Sequence, residues 1–109
     1  MYAIEPRQNL YFSSEATMKQ KTIKARVYGK VQGVWFRDNT REKARELNLC
    51  GWVRNCSDGS VETIVSGNYD SVKTMVDWLH LGSPHSHVRR VVIDELDFDS
   101  SFRSFTITY

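Results

Sequence analysis

The sequence has few cysteines, few prolines and no long apolar run. Two cysteines and two prolines occur among 109 residues. Cys50 and Cys56 belong to one strand-like run, so at about 3.3 Å per residue they lie roughly 20 Å apart, beyond disulfide reach. The apolar runs are too short for a transmembrane helix or a signal peptide. These absences predict a cytoplasmic protein with two unpaired thiols and no membrane partner.

Neither sign of charge dominates the composition. Fifteen Lys and Arg stand against thirteen Asp and Glu, which gives a formal net charge of +2. Basic residues such as Arg41 and Lys43 alternate with acidic ones such as Glu42 and Glu46. The mixture argues against an extended nucleic-acid surface but permits a local anion site. We therefore expect no nucleic-acid partner.

The length provides room for one domain, and the composition of 40% hydrophobic and 26% charged residues is ordinary. Residues 1–17 have no usable periodicity, and the fragment NLYF at Asn9–Phe12 resembles part of a protease-cleavable expression linker. We expect residues 1–17 to be an added expression segment or a disordered tail. Residues 18–109 are then the domain, with a monomer as the simplest expectation.

Periodicity predicts a β-α-β-β-α-β order with a short terminal strand. Alternation marks the strands and spacings of three and four mark the helices, while Asp58-Gly59 is typical of a hairpin turn. The predicted elements are strand 22–28, helix 36–47, strands 50–56 and 61–66, helix 69–81, and strands 89–98 and 105–109, with a bulge in the fifth run. This order matches an α+β, ferredoxin-like split β-α-β sandwich, an antiparallel sheet with two helices on one face.

The loop between the first strand and the first helix has the features of an anion site. Gly29 to Val34 precede a helix N-terminus, where free backbone N–H groups and the helix dipole favour phosphate. We expect Val31, Val34 and Phe36 to point inward, while Arg37 adds a planar cation suited to two phosphate oxygens. The alternative is a tight turn whose arginine faces solvent.

A second stretch, Gly51-Trp52-Val53-Arg54-Asn55, ends a predicted strand just before the hairpin turn. Alternation places Asn55 on the face opposite Trp52 and Arg54. A neutral amide at this point can orient a water molecule but cannot deprotonate it. The alternative is that Asn55 is a turn-proximal residue without a chemical role.

Together these stretches closely resemble the acylphosphatase family. Residues 27–37, VYGKVQGVWFR, fit its first signature, an aliphatic residue followed by GxVQGVxFR. Residues 51–55, with Gly59, Val61 and Gly67, fit the second signature at the expected intervals. The resemblance covers Lys21 to Tyr109 and implies the same ferredoxin-like fold.

The resemblance implies hydrolysis of the carboxyl-phosphate bond of an acyl phosphate, yielding a carboxylate and inorganic phosphate. It implies no metal, no cofactor and no covalent intermediate. Arg37 and Asn55 correspond to the family's catalytic arginine and asparagine. The implied phosphate-binding residues are Lys30, Val31, Gln32, Gly33, Val34, Trp35, Phe36 and Arg37.

One residue departs from the family pattern. Asp38 follows Arg37, where an aromatic or basic residue is more common, and a carboxylate near phosphate is unfavourable. Because successive helical side chains point about 100° apart, we expect Asp38 to face away from the pocket. The helix dipole favours an acidic residue at this position.

Other residues invite roles that we judge weaker. His80, His85 and His87 lack a suitably spaced Cys, Asp or Glu, so we expect a polar loop and no metal site. The tryptophans are expected to be buried or half-buried. A ferredoxin-like module that binds RNA or a phosphorylated ligand is the alternative function, but the aromatic motifs of an RNA-recognition domain are missing.

Overall fold

The computed structural model describes residues 19–109, so the interpretation of residues 1–17 lies outside the described part of the chain. The described residues form five strands and two helices in the predicted order. The elements are β1 (Gln20–Lys30), α1 (Phe36–Glu46), β2 (Cys50–Asn55), β3 (Val61–Asn68), α2 (Tyr69–Leu81), β4 (His87–Leu96) and β5 (Phe105–Ile107).

The strands form one sheet in the order β4-β1-β3-β2-β5. The pairs β4–β1, β1–β3 and β3–β2 are antiparallel, as predicted, whereas the pair β2–β5 is parallel. The sheet is therefore mixed and not wholly antiparallel. After β4, residues 97–104 cross one end of the sheet. The chain then enters β5, which lies beside β2 and runs in the same direction. Asp99 lies on this crossing, where its N–H donates to Thr22 Oγ1 at 2.9 Å and its carbonyl accepts from Ser66 Oγ at 3.1 Å.

Both helices pack on one face of the sheet and share a single core. The predicted alternation in β1 is confirmed, because Ile23, Ala25 and Val27 are buried on this face. The helical stripes are confirmed by buried residues at helical spacing: Phe36, Thr40 and Ala44 in α1, and Val72, Met75 and Leu79 in α2. The opposite face of the sheet carries no helix in the described chain.

The irregularity predicted for the fifth run is a register shift between β1 and β4 at Tyr28/Gly29. Gly29 has φ +133°, and an added Cβ would overlap the carbonyl oxygen of His87 and lie 2.8 Å from the Arg89 nitrogen. A glycine is thus required here so that β4 can approach β1. This close approach fixes where β1 turns toward α1.

Candidate active site

A cavity of about 400 Å³ lies between the β1–α1 loop and the end of β2. Arg37, in the first turn of α1, and Asn55, the last residue of β2, both line it. Its lining residues are Val31, Gly33, Trp35, Phe36, Arg37, Asp38 and Asn55. The structure thus brings together the two residues that the family resemblance marks as catalytic.

The loop that forms one wall is anchored by its apolar side chains. Val31, Val34 and Phe36 are buried, as predicted, so they hold the loop from below. Gly33 and Trp35 have left-handed backbones, with φ of 73° and 59°. Such a conformation is easy for glycine but costs about 1–2 kcal/mol for another residue, so the Trp35 backbone is strained. These two residues reverse the chain into α1.

The N-terminus of α1 opens beside this loop. The Asn39 N–H donates to the Trp35 carbonyl at 3.0 Å and starts the helical ladder. The backbone N–H groups of Phe36, Arg37 and Asp38 come before this first bond. They therefore have no helical carbonyl as a hydrogen-bond acceptor. Together with the helix dipole they form a partial positive charge at the cavity.

Gln32 ties the loop to the turn between β2 and β3. Its side-chain Nε2 donates to the carbonyls of Cys56 at 2.8 Å and Ser60 at 2.9 Å. Both acceptors belong to the segment directly after Asn55. Within the same turn the hydroxyl of Ser60, and then its amide, hold the pKa of Asp58 below its ordinary value. Gln32 therefore sets the distance between the two walls of the cavity.

Asn55 ends β2 on the face predicted for it, since Trp52 and Arg54 lie on the opposite face. The Oδ1 atom of Asn55 is buried and has no hydrogen-bond partner within residues 19–109. A buried acceptor left unpaired costs about 1–3 kcal/mol. Such an atom at the edge of a polar cavity fits a site that a water molecule or a ligand completes.

Asp38 is one of the residues around the cavity, and its side chain is exposed and close to Arg41; that its carboxylate faces away from a bound phosphate stays a prediction. Its Oδ1 lies 3.7 Å from Arg41 Nη2, one helical turn further along α1. A helix places residues three apart on neighbouring positions of its surface, which brings this arginine to the carboxylate. Arg41 offsets part of the negative charge that Asp38 adds beside the N-terminus of α1.

The remaining predicted residues lie around the cavity without lining it. Lys30 is exposed at the end of β1, Gln32 points its amide at the hairpin turn, and Val34 is buried beneath the loop. Their part in phosphate binding stays a prediction. Trp35 lines the cavity but is 67% exposed, so the expectation of a buried ring is wrong there. Its ring lies edge-on to His85, with centroids 6.5 Å apart, a contact without a local sequence signal.

A larger cavity, about 630 Å³, lies on the face of the sheet without helices. It shares no lining residue with the first cavity, although its residue Tyr109 reaches the Arg37 guanidinium, and its charged side chains contact one another. Arg54 donates to the buried carboxylate of Glu62 at 2.7 and 3.0 Å, and Lys24 Nζ lies 3.9 Å from the same carboxylate. Two cations thus share one carboxylate, and the single positive charge that remains is spread over an exposed sheet face with no helix N-terminus of residues 19–109 beside it.

Residues 19–109 contain neither a cluster of metal ligands nor a helix that could span a membrane. No group of three or more His, Cys, Asp or Glu side chains is placed to hold a metal ion in this part of the chain. No helix in the same residues is long and apolar enough to cross a membrane. Cys50 and Cys56 are unpaired and half-buried.

Comparison with known proteins agrees with this geometry. The acylphosphatase family model matches residues 23–107, which include both cavity walls. The chain belongs to the acylphosphatase family. It is 41% identical over 93 residues to an acylphosphatase from Rubrobacter xylanophilus, covering 85% of this chain and 84% of the relative. An acylphosphatase from Thiobacillus denitrificans is 44% identical over 81 residues, or 74% of this chain and 91% of its own.

Solved acylphosphatase structures share the fold. The structure from Coxiella burnetii superposes with a TM-score of 0.78 at 39% identity, covering 82% of this chain and 93% of that one. The Bacillus subtilis structure gives a TM-score of 0.79 at 32% identity, with 82% and 99% covered. The family assignment and the ferredoxin-like α+β fold predicted from the sequence are both confirmed.

Proposed function

We propose that this acylphosphatase binds the phosphoryl group of an acyl phosphate in the cavity between Arg37 and Asn55 and hydrolyses it there without a metal ion. The observation that carries the proposal is that both residues line one cavity at the N-terminus of α1. Guanidinium and amide donors are complementary to phosphate oxygens. The substrate class is that of the family, acyl phosphates.

The phosphoryl group would be held by the loop and by Arg37. The free N–H groups at the start of α1 and the planar guanidinium supply donors from two directions. Because such donors are already in place before the substrate binds, they can stabilise the charge that develops on the equatorial oxygens. Arg37 is half-buried, which strengthens this interaction relative to an exposed cation.

Asn55 would orient the attacking water. Its unpaired Oδ1 can accept a hydrogen bond from a water molecule, which aims a lone pair of that water at phosphorus. The water oxygen forms the new P–O bond as the bond from phosphorus to the acyl oxygen breaks. The acyl group leaves as a carboxylate with the bonding electron pair, and the water proton passes to solvent.

The chemistry needs neither a general acid nor a metal. The conjugate acid of the leaving carboxylate has a pKa of about 4, so the carboxylate leaves without being protonated. Mg²⁺ would need oxygen ligands, whereas this cavity offers mainly N–H donors, and its one carboxylate is close to Arg41. Positive charge for the transition state thus comes from the protein itself.

The test is phosphate release from acetyl phosphate in the presence of a chelator. We expect wild-type turnover well above buffer. Arg37→Ala should remove most phosphate binding and lower kcat/KM by about 10²-fold or more. Asn55→Ala should lower kcat while phosphate affinity, measured by product inhibition, stays close to wild type. Arg89→Ala, at an exposed site on β4, is the control and should have no effect.

Three results would count against parts of the proposal. Wild-type turnover no faster than buffer, with phosphate still bound, would leave a binding module in place of an enzyme. Loss of activity in chelator with recovery in Mg²⁺ would overturn the metal-free mechanism alone. Full activity of Asn55→Ala would overturn only the role of the water-orienting amide.

A further inference from the structure

Strand β4 is a long outer edge of the sheet, and its bulge against β1 falls at Arg89, outside the run Arg90–Asp94. It is the outer strand beside β1, is ten residues long and contains no proline. In residues 19–109 its outer edge pairs with no other strand. The other outer strand, β5, has only three residues. Long exposed edges are usually shortened, bulged or covered, because they offer free N–H and C=O groups to another chain.

The sequence of β4 is symmetric in chemical type about Val92. Arg90-Val91-Val92-Ile93-Asp94 reads as basic, apolar, apolar, apolar, acidic. If two copies pair antiparallel about a twofold axis at Val92, each Arg90 lies opposite Asp94 of the second copy. Each Val91 then lies opposite Ile93, and the two Val92 residues lie opposite each other. Directly opposite residues are the pairs that stabilise a sheet.

The side chains lie on the faces that this pairing requires. Arg90, Val92 and Asp94 are paired with Tyr28, Arg26 and Lys24 of β1, which places all three on the face without helices. The guanidinium carbon of Arg90 lies 4.3 Å from the ring centroid of Tyr28 on β1, so Arg90 exchanges this contact for Asp94 of the second copy when the strands pair. Val92 is 42% exposed, an apolar side chain without a cover in the described chain.

Charge also disfavours other registers. An axis at Arg90 would place two arginines opposite each other, and an axis at Asp94 would place two carboxylates opposite each other. Like charges directly opposite destabilise a strand pair. A parallel, in-register pair of β4 strands is disfavoured as well, because it places Arg90 beside Arg90 and Asp94 beside Asp94 of the second copy. The antiparallel arrangement centred on Val92 thus places opposite charges across from each other and apolar side chains across from apolar side chains.

We propose that two copies of this chain pair through β4 as a twofold dimer with a continuous ten-stranded sheet. This replaces the monomer expected from the sequence. Such an interface is isologous, so each copy contributes the same strand and the assembly is closed at two. One strand pair buries little surface, so the dimer is weak and depends on concentration.

The test uses charge exchange in the full chain, followed by sedimentation equilibrium from about 10 µM to about 1 mM, the range of a weak interface. Wild type should move from monomer toward dimer. Arg90→Asp alone and Asp94→Arg alone should each stay monomeric, because each faces like charge in its own copy. Mixed one to one they should form a heterodimer, and the double variant should dimerise again. Lys73→Asp and Asp77→Arg, exposed on α2, are controls with the same charge changes and should dimerise as wild type.

The outcomes separate the proposal from its alternatives. A wild type that remains monomeric throughout this range overturns it. If the β4 amides of that monomer were also protected from hydrogen exchange, another segment of the same chain would be covering the edge. Dimerisation that survives both single charge changes, or a mixture that fails to associate, would show that a different surface forms the contact.

Discussion

The guanidinium carbon of Arg37 lies 5.3 Å from the centre of the Tyr109 ring. Tyr109 follows β5, whose continuation is held beside β2 by the Thr108 N–H donating to the Val53 carbonyl at 2.8 Å. Because β5 runs parallel to β2, Tyr109 lies at the same end of the strands as Asn55 and the proposed phosphate site. An aromatic ring beside a guanidinium attracts it and restricts its motion.

Replacing Tyr109 with leucine should loosen Arg37. The ring is 92% exposed, so an exposed cation–π contact of about 0.5–1 kcal/mol is the relevant scale, and kcat/KM should fall about 2- to 5-fold. Phosphate inhibition should weaken to a similar extent, while the free energy of unfolding falls by no more than the same range of about 0.5–1 kcal/mol. Tyr109→Phe should retain wild-type kinetics, because it keeps the ring. Equal kinetics for the leucine and phenylalanine variants would contradict a positioning role.

Asp38→Asn tests whether the carboxylate beside the cavity opposes phosphate. Removing the charge should tighten phosphate binding by a few-fold at low salt, with the gain shrinking as salt screens the repulsion. Stability should fall slightly, because an acidic residue near a helix N-terminus contributes about 0.3–1 kcal/mol. Glu42→Gln, exposed one turn later on α1, is the matched control. Unchanged phosphate affinity in Asp38→Asn would mean that Arg41 already cancels the charge.

The elements were predictable because each leaves a local signal. Val72, Met75 and Leu79 recur at helical spacing, and Gly82, with φ 82° and its N–H bonded to Trp78 O at 2.7 Å, ends α2 where predicted. The direction of β5 has no such signal. It depends on the path of residues 97–104 across the sheet, which side-chain hydrogen bonds to distant strands hold in place.

The candidate site was predictable as a motif but not as a set of contacts. The motif spacing placed Arg37 and Asn55 together, and valine burial in the loop followed from the need to anchor a turn. The side chains that contact the site residues could not be predicted, because the contacts of His85 with Trp35 and of Tyr109 with Arg37 depend on tertiary packing. The contact between Arg41 and Asp38, by contrast, was predictable from the sequence, because the two residues are three apart on a predicted helix.

Gln32→Glu should disturb the spacing between the two walls of the cavity. The native amide donates to two carbonyls, whereas a carboxylate cannot donate and would be repelled by both. We expect a loss of about 1–3 kcal/mol in the free energy of unfolding. We also expect a lower kcat in the fraction that stays folded, because Asn55 shifts relative to Arg37.

Chemical denaturation and steady-state kinetics on the same preparation measure both effects. Gln20→Glu, exposed at the start of β1, is the control for the change of charge and should leave both quantities unchanged. A variant that lost stability but kept kcat would show that Gln32 supports the fold without setting the site.

The two glycines of the loop should respond differently to alanine, although both have positive φ. At Gly29 a methyl group would collide with the backbone of β4, so Gly29→Ala should lower the free energy of unfolding by several kcal/mol. At Gly33 nothing lies within 4 Å of an added Cβ, so the stability change is limited to the left-handed backbone, about 1–2 kcal/mol. The Gly33 methyl would instead enter the cavity that Gly33 lines. Phosphate affinity should therefore fall in Gly33→Ala and stay close to wild type in the folded fraction of Gly29→Ala. The reverse pattern, with phosphate binding lost only at Gly29, would mean that phosphate lies at the β4 side of the loop.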